Sequence, residues 1–331
     1  MTQIRSFFLR PFDHSDADYE ARVAIGNAVT PDQSTTVAEQ KEQEAQRIAS
    51  HQHQIWLAEA EGQTVGMGSF RHDDWEYHPT EFWLRIAVLP KFQGRGCGGT
   101  LYRHLLENLA PLQPTALKTY CREDRARGLR FAQDRGFMEE MRIWESRLDV
   151  AAFDPEPFAA EREKVSQLGI VIRSLRDLES DPDRDRKVWE LEMETSADVP
   201  STSPFTPLTY DEYRKHAFDA SSFLPDGFVV AVEESTGDYV GTSHLWRRRA
   251  DQDLQTGLTA VRRTHRRRGI ALAMKLRVID YAKSLGTPII RTENAQHNRA
   301  MLAINEALGF TKLPAGITLV KRLTGKTAES Q

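Results

Sequence analysis

Two short glycine-containing stretches carry the residues best suited to bind an anion. The first consists of Gln93, Gly94, Arg95, Gly96, Cys97, Gly98, Gly99 and Thr100. The second consists of Arg266, Arg267, Arg268, Gly269, Ile270 and Ala271. In both, small residues allow a ligand to approach the backbone, and the first N–H groups of the following helix lack intrahelical partners. Because the helix dipole and flanking arginines also favour negative charge, each stretch predicts a phosphate site.

The arginines of the second stretch form a local basic run. The whole chain of 331 residues has 44 Lys and Arg against 48 Asp and Glu, a formal net charge of −4. Proteins that bind nucleic acid usually add aromatic stacking groups and a wider basic face, and none interleave with Arg262 to Arg268. We therefore expect no nucleic-acid partner and favour a phosphorylated cofactor, with a merely solvated run as the alternative.

Composition narrows the remaining choices of compartment, partner and metal. The two cysteines, Cys97 and Cys121, make no disulfide framework, which favours the cytoplasm. No signal peptide and no run of about 18 apolar residues is present, so we expect no membrane partner. No metal is expected either, because the candidate histidines lack clean ligand spacing: His51, His53, His72 and His78.

Two familiar phosphate motifs do not account for the stretches. Gly94 to Gly99 matches G-x-G-x-x-G, but the second stretch has Ala271 and Leu272 at the last two corresponding positions. No acidic residue lies between Gln113 and Arg122 to bind a ribose, and G-K-[ST] is absent.

The elements that position both stretches are repeated along the chain. An offset of 173 residues places Gly96 on Gly269, and without a gap it continues to Gly136 on Gly309. A constant register over about fifty residues indicates duplication. Each half has the pattern of a strand, a helical region, a hairpin, a strand before the turn, a long helix, a strand and a helix ending at Gly-Phe. We predict two domains, 1–155 and 165–325, separated by a proline-containing segment near Ala160.

Both turns share [Q/R]-x-x-G-x-[G/A] after a strand ending in Ala-Val, and the second half adds "TENAQHNRAMLAINEALGF". These motifs resemble the GNAT superfamily of acyl-CoA-dependent N-acyltransferases over nearly the whole chain. The resemblance implies an α/β (α+β) protein of two tandem GNAT-like domains, each a mixed, mostly antiparallel sheet flanked by helices. It also implies transfer of an acetyl group from acetyl-CoA to a primary amine of a small molecule or peptide.

The resemblance further implies where the cofactor is held. The two turns would bind the pyrophosphate of acetyl-CoA, Val88 and Val261 the pantetheine, and Asn298 would orient the cofactor arm. Cys97 occupies a variable position of the motif and is expected to fill space, although a helix N-terminus can also lower a thiol pKa.

The catalytic pattern of the family is incomplete in this chain. The tyrosine that often protonates the leaving thiolate is replaced by Ala132 in the first half and Asn305 in the second. Losing a general acid costs roughly 10²–10⁴-fold, which weakens activity without excluding it. Asn305 would touch the thioester, or else cap or pack its helix. Because the second half keeps Asn298 where the first has Arg125, we predict that the C-terminal domain is catalytic.

Two residues are candidates for the general base. Glu81 precedes the first turn and His244 lies in the hairpin of the second half; the alternatives are a solvated carboxylate and a surface histidine. The segments 26–54 and 193–223 would shape the acceptor pocket, and metabolites, antibiotics, peptide N-termini and lysines are all compatible with it. The rival function is a non-catalytic acyl-CoA-binding or regulatory protein. The sequence carries no pattern that sets the oligomeric state.

Overall fold

A computed structural model describes residues 7–323. Within them the elements from the first repeat run β1 (Phe8–Pro11), α1 (Asp16–Val29), α2 (Val37–Gln46), β2 (His53–Ala60), β3 (Gln63–Arg71), β4 (Glu81–Val88), α3 (Cys97–Leu109), β5 (Ala116–Arg122), α4 (Ala126–Gln133) and β6 (Met138–Asp149). They continue with α5 (Ala159–Gln167), β7 (Ile170–Ser174), α6 (Arg184–Ser196), α7 (Tyr210–His216), β8 (Phe228–Glu233), β9 (Tyr239–Arg247), β10 (Leu254–Val261), α8 (Ile270–Ser284), β11 (Ile289–Ala295), α9 (Arg299–Ala307), β12 (Thr311–Lys312) and β13 (Gly316–Arg322). None of these helices is long and apolar enough to cross a membrane.

The chain forms two compact units whose limits differ from those of the sequence repeat. The first unit comprises residues 7–141 together with residues 317–323, and the second comprises Arg142–Gly316. Most of β13 therefore belongs to the first unit, and most of β6 belongs to the second. The division into 1–155 and 165–325 stays a prediction about the repeat along the sequence.

The sheet of the first unit places its central strand next to the first turn. Strands β1 to β4 pair antiparallel in chain order, and β5 pairs parallel with β4. Apolar residues alternate along the strands: Met67 packs with Tyr19 of α1, whereas Phe70 packs with Leu105 of α3. Because residues 67 and 70 point to opposite faces of a strand, helices cover both faces.

The second unit repeats this arrangement. Strands β7 to β10 pair antiparallel, β11 pairs parallel with β10, and β6 adds to the far side of β11. Its core joins Leu276 and Ile279 of α8 to Val229 and Val240 of the hairpin. The predicted fold class, a mixed and largely antiparallel sheet flanked by helices, is confirmed.

Candidate functional site

The first turn is closed by a side chain that reaches back to the strand before it. The Nε2 atom of Gln93 donates to the carbonyl oxygen of Val88 at 2.9 Å. Gly96 then adopts a left-handed φ of 97° as the N-cap of α3, which glycine does without steric cost. The first intrahelical bond runs from the Thr100 N–H to the Gly96 carbonyl oxygen. The N–H groups of residues 97–99 therefore have no acceptor within the helix.

The second turn has the same geometry with a different residue. The Nε atom of Arg266 donates to the carbonyl oxygen of Val261 at 2.9 Å, and Gly269 caps α8 with a φ of 82°. The first intrahelical bond runs from the Ala273 N–H to the Gly269 carbonyl oxygen. The N–H groups of residues 270–272 are thus left without helical acceptors. The shared glutamine-or-arginine position and the shared glycine have one structural task each, which explains why both halves keep them.

Charge at the second turn comes from two arginines that have no acidic partner. Arg267 has a φ of 63°, the left-handed conformation that Gly94 adopts in the first turn with a φ of 76°. A non-glycine residue pays roughly 1–2 kcal/mol for this conformation. Arg267 and Arg268 are exposed, and neither forms an ion pair within residues 7–323. Free N–H groups and unpaired guanidinium groups at one point fit a pyrophosphate.

The other three arginines of the basic run are neutralised by α6 and the residues after it. Arg262 pairs with Glu194 at 3.0 Å, and both Arg263 and Arg266 pair with Asp198. Hydrogen bonds from Arg263 and then Arg266 lower the pKa of the Asp198 carboxyl to about 2. A cavity of about 240 Å³ lies among these groups, lined by Glu194, Thr195, Asp198, Arg263 and Arg266. The run is therefore less basic in the folded protein than its sequence indicates.

The first turn receives positive charge from α4, which the sequence analysis missed. A Cβ atom built on Gly94 would lie 3.0 Å from Nη1 of Arg127. A Cβ atom on Gly98 would lie 3.2 Å from the ring of Phe131, which the Arg135 guanidinium covers at 3.5 Å. The signal that could have identified Arg127 is the density of arginines directly after β5.

Cys97 fills space behind the first turn. Its side chain is buried, and Sγ lies 3.1 Å from a Cβ atom built on Gly66 of β3. Burial raises the pKa of the Cys97 thiol to about 11, which is the opposite of the reactive alternative. At neutral pH the thiol is protonated and acts as a small apolar group.

In both units the strand before the turn separates from its parallel neighbour. Strand β4 pairs with β5 only from Glu81 to Trp83, and β10 pairs with β11 only at Leu254 and Gln255. Each of these strand pairs thus forms a wedge that opens towards the turn. Val88 lies at the open end of the wedge between β4 and β5, and Val261 at that of the wedge between β10 and β11. An unpaired strand edge can accept an extended ligand through backbone hydrogen bonds, so the wedge fits a chain such as pantetheine.

Amide side chains lie along the wedge of the second unit. Asn305 is 2% exposed, and its Nδ2 atom donates to Oδ1 of Asn294 at 2.6 Å. The Oδ1 atom of Asn305 is buried and has no partner among residues 7–323. Asn298 caps α9, where its Oδ1 atom accepts from the Met301 N–H at 3.3 Å. Asn305 thus joins α9 to β11, and its Oδ1 atom can still accept a hydrogen bond.

The corresponding place in the first unit has a different chemistry. Ala132 is buried where the second unit has Asn305. Arg125 pairs with Asp32 at 3.4 Å, and Arg122 pairs with the same carboxylate. The hydroxyl of Thr119 on β5 donates to a carbonyl oxygen of β4 at 3.0 Å and bridges the wedge where it opens.

Neither predicted base has a free side chain. The Oε2 atom of Glu81 lies 2.9 Å from Nζ of Lys118, whose side chain is only 2% exposed. Glu81 begins β4, so seven residues, or about 23 Å, separate it from Val88. The structure does not bring this carboxylate to the turn, and the alternative of a solvated carboxylate is wrong.

His244 is also held inside the second unit. Its Nε2 atom lies 3.0 Å from Oε1 of Glu192 and 3.2 Å from the backbone nitrogen of Leu258 on β10. Glu192 accepts hydrogen bonds from the Tyr213 hydroxyl at 2.8 Å and from the Thr242 hydroxyl at 3.0 Å. The surface alternative for His244 is wrong, since the residue is 4% exposed. Gly257 is required beside the ring, because a Cβ atom there would lie 2.1 Å from it.

Comparison with protein families matches both halves separately. Residues 23–137 match the model of the acetyltransferase (GNAT) family, and residues 174–311 match that of the acetyltransferase (GNAT) domain. None of the curated proteins matches the chain in sequence.

Solved structures share the fold over nearly the whole chain. A GCN5-related N-acetyltransferase from Sphaerobacter thermophilus is 19% identical, with a TM-score of 0.70 and 97% of each chain covered. A tandem GNAT protein from the clavulanic acid biosynthesis pathway is 17% identical, with a TM-score of 0.75 over 97% of this chain and 100% of that one. At these identities the likeness concerns the fold, and it includes the tandem arrangement.

Proposed function

Because the chain belongs to the GNAT acetyltransferases as a tandem N-acetyltransferase, we propose that it transfers an acetyl group from acetyl-CoA to a primary amine, and that the second unit carries the reaction. The observation that supports this most directly is the repeated turn. In both halves a side chain closes the turn onto the strand end and a left-handed glycine begins the helix. This geometry leaves three N–H groups for phosphate oxygens.

The residues that would hold acetyl-CoA follow from the turn and the wedge. The N–H groups of residues 270–272 would bind the phosphates, and Arg267 and Arg268, which have no ion pair within residues 7–323, would add positive charge. The open edge of β10 up to Val261 would hold the extended pantetheine arm. When bound, acetyl-CoA supplies the thioester carbonyl that the amine attacks. The chain contributes mainly by positioning the two reactants.

The second unit is the better candidate for turnover because its wedge keeps polar groups. Asn305 occupies the position of the family's tyrosine and has a buried carbonyl oxygen without a partner. An amide cannot give up a proton to a thiolate, so Asn305 would orient the sulfur or a water molecule that protonates it. In the first unit Ala132 offers no such group.

His244 is the better placed of the two predicted bases, but its contacts favour a positioning role. Its Nε2 atom accepts from the Leu258 N–H of β10 and lies beside the buried Glu192. We propose that this pair holds the bulged part of β10 at the wedge, and that Glu81 stabilises the sheet through Lys118. The amine would then lose its proton to water.

Steady release of coenzyme A thiol with a panel of amines tests the proposal. Asn305→Ala gives the second unit the residue of the first, and we expect kcat to fall about 10–100-fold, with KM for acetyl-CoA changed less than about threefold. Glu306→Ala, on the same helix and exposed, is the matched control. Binding of acetyl-CoA without thiol release would favour the rival, a non-catalytic acyl-CoA-binding protein. An Asn305→Ala variant as active as the control would contradict the assignment to the second unit.

A further inference from the structure

A guanidinium group that has no partner among the described residues lies in the middle of the sheet of the first unit. Arg85 is the fifth residue of β4, a strand with neighbours on both sides, and it is nevertheless exposed. It lies directly opposite Ser69 of β3. The Nη2 atom of Arg85 is 3.4 Å from a Cβ atom built on Gly26 of α1. Solvent therefore reaches the centre of this sheet face through the helical layer, at the point where α1 has a glycine.

The surroundings of Arg85 are positive. Its neighbours Arg22 and Arg71 each have a carboxylate, since Arg22 pairs with Glu44 at 3.4 Å and Arg71 with Asp73 at 3.2 Å. Arg85 has neither an ion pair nor a hydrogen bond from its side chain among residues 7–323. Solvent reaches the Arg85 guanidinium, and the charges of Arg22 and Arg71 repel it. An arginine that is repelled by its neighbours and has no partner within residues 7–323 is suited to an anionic ligand.

The second unit lacks this feature. The 173-residue offset places Arg85 on Leu258, whose N–H is held by His244 next to the buried Glu192. The sheet position that carries a cation in the first unit therefore carries the apolar Leu258 in the second, where the nearby buried carboxylate, Glu192, belongs to helix α6. The arginine is not part of the machinery that the two halves share.

We propose that the sheet face around Arg85, the Arg85 cleft formed with Ser69, Gly26, Arg22 and Arg71, binds a small anionic ligand through its carboxylate or phosphate group. The planar guanidinium donates two parallel hydrogen bonds to the two oxygens of such a group. Ser69 can donate a further hydrogen bond from the facing strand. Gly26 begins the segment 26–54 that is expected to shape the acceptor pocket, so the cleft gives the ligand of that pocket an anionic group. Calling this ligand the acceptor rests on the proposed function, whereas binding itself does not depend on which unit carries the reaction.

Calorimetric titration of the full chain tests the cleft with three probes. Succinate represents a carboxylate, inorganic phosphate represents a phosphate, and succinamide is the neutral control. Arg85→Leu introduces the residue of the second unit, Arg85→Lys keeps the charge without the planar fork, and Arg103→Leu removes one exposed charge of the same unit elsewhere. All titrations are repeated with saturating coenzyme A. It occupies the two turns, so any phosphate that still binds does so elsewhere, as expected for Arg85.

We expect at least one anionic probe to bind the wild type and the Arg103→Leu variant equally. Arg85→Leu should weaken it at least tenfold, Arg85→Lys should have an intermediate effect, and succinamide should not bind. The tighter of the two anions identifies the ligand group. Three results would overturn the proposal. They are equal affinity of the anion for Arg85→Leu and Arg103→Leu, complete loss of anion binding when coenzyme A is present, and no anion binding to the wild type up to about 10 mM.

Thermal unfolding separates a ligand site from a structural arginine. Without anions, Arg85→Leu should unfold at a higher temperature than the wild type, since repulsion from Arg22 and Arg71 is removed. Added succinate or phosphate should raise the melting temperature of the wild type and not that of the variant. A lower melting temperature of Arg85→Leu without anions would show that the side chain supports the fold, and would also overturn the proposal.

Discussion

At the scale of single residues, the two turns perform one backbone task with different side chains. Gln93 and Arg266 both donate to the carbonyl oxygen of the last strand residue, at the same distance. Arginine has further donors, and Arg266 uses one of them to bind Asp198. The second turn is thereby linked to the segment after α6, which is expected to shape the acceptor pocket. In the proposed function, the phosphates of acetyl-CoA would compete with Asp198 for Arg263 and Arg266.

Asp198 is expected to compete with the phosphates of acetyl-CoA. Asp198→Asn frees Arg263 and Arg266, so acetyl-CoA should bind the second unit about 3–10-fold more tightly at low salt, with a smaller gain at high salt. Glu190→Gln removes the same charge from an exposed site on α6 and should leave the affinity unchanged. Calorimetry at two ionic strengths measures both effects. Weaker binding by Asp198→Asn would show that Asp198 orders the turn instead.

The same pair has a defined pH dependence. The pKa of Asp198 is lowered in the folded protein, so its pairing stabilises the fold above about pH 4. This contribution is lost as the pH falls from about 4 towards 2, where the carboxylate takes up a proton. Between about pH 4 and 2, the melting temperature of Asp198→Asn should therefore fall less than that of the wild type. Thermal unfolding at a series of pH values measures this difference.

At the scale of elements, apolar periodicity predicted the strand–turn–helix–strand units and the hairpins because their signals are local. The sequence analysis missed β6, α5 and β13. Strand β6 has few buried residues along its first half, and its partner β11 follows about 140 residues later, so no nearby pattern indicates the pairing. The site shows the same limit: both turns were predicted, whereas the neutralising contacts from Glu194 and Asp198 depend on tertiary structure.

In both turns a side chain donates a hydrogen bond to the carbonyl oxygen of the last strand residue. Substitutions of Arg266 should therefore lower the unfolding free energy according to whether they keep this donor. Arg266→Gln keeps a donor for the Val261 carbonyl oxygen, as Gln93 does in the first turn, and should cost at most about 0.5 kcal/mol of unfolding free energy. Arg266→Ala removes that donor next to a buried residue and should cost about 1 kcal/mol or more. Chemical denaturation followed by circular dichroism measures both. Equal losses in the two variants would contradict the shared role.

At the scale of the whole molecule, the chain is a duplication whose copies have diverged around a common frame. Turn geometry and strand order are the same in both units. The groups along the wedges differ, with Ala132 and the Asp32–Arg125 pair in the first unit and Asn305 in the second. Duplication relaxes the demand that both copies keep every function. The frame thus contains two turns of the same geometry, and in our proposal only the second unit retains the polar groups for turnover.

The most direct test is titration of acetyl-CoA into the wild type and two matched pairs of variants, Gly96→Asp with Gly96→Asn and Gly269→Asp with Gly269→Asn. Aspartate and asparagine both tolerate a left-handed φ, so each pair differs mainly by one negative charge at the phosphate site. We predict two equivalents bound by the wild type and by both asparagine variants, and one equivalent by each aspartate variant. No binding, or a stoichiometry that neither aspartate changes, would contradict the assignment of the turns to acetyl-CoA.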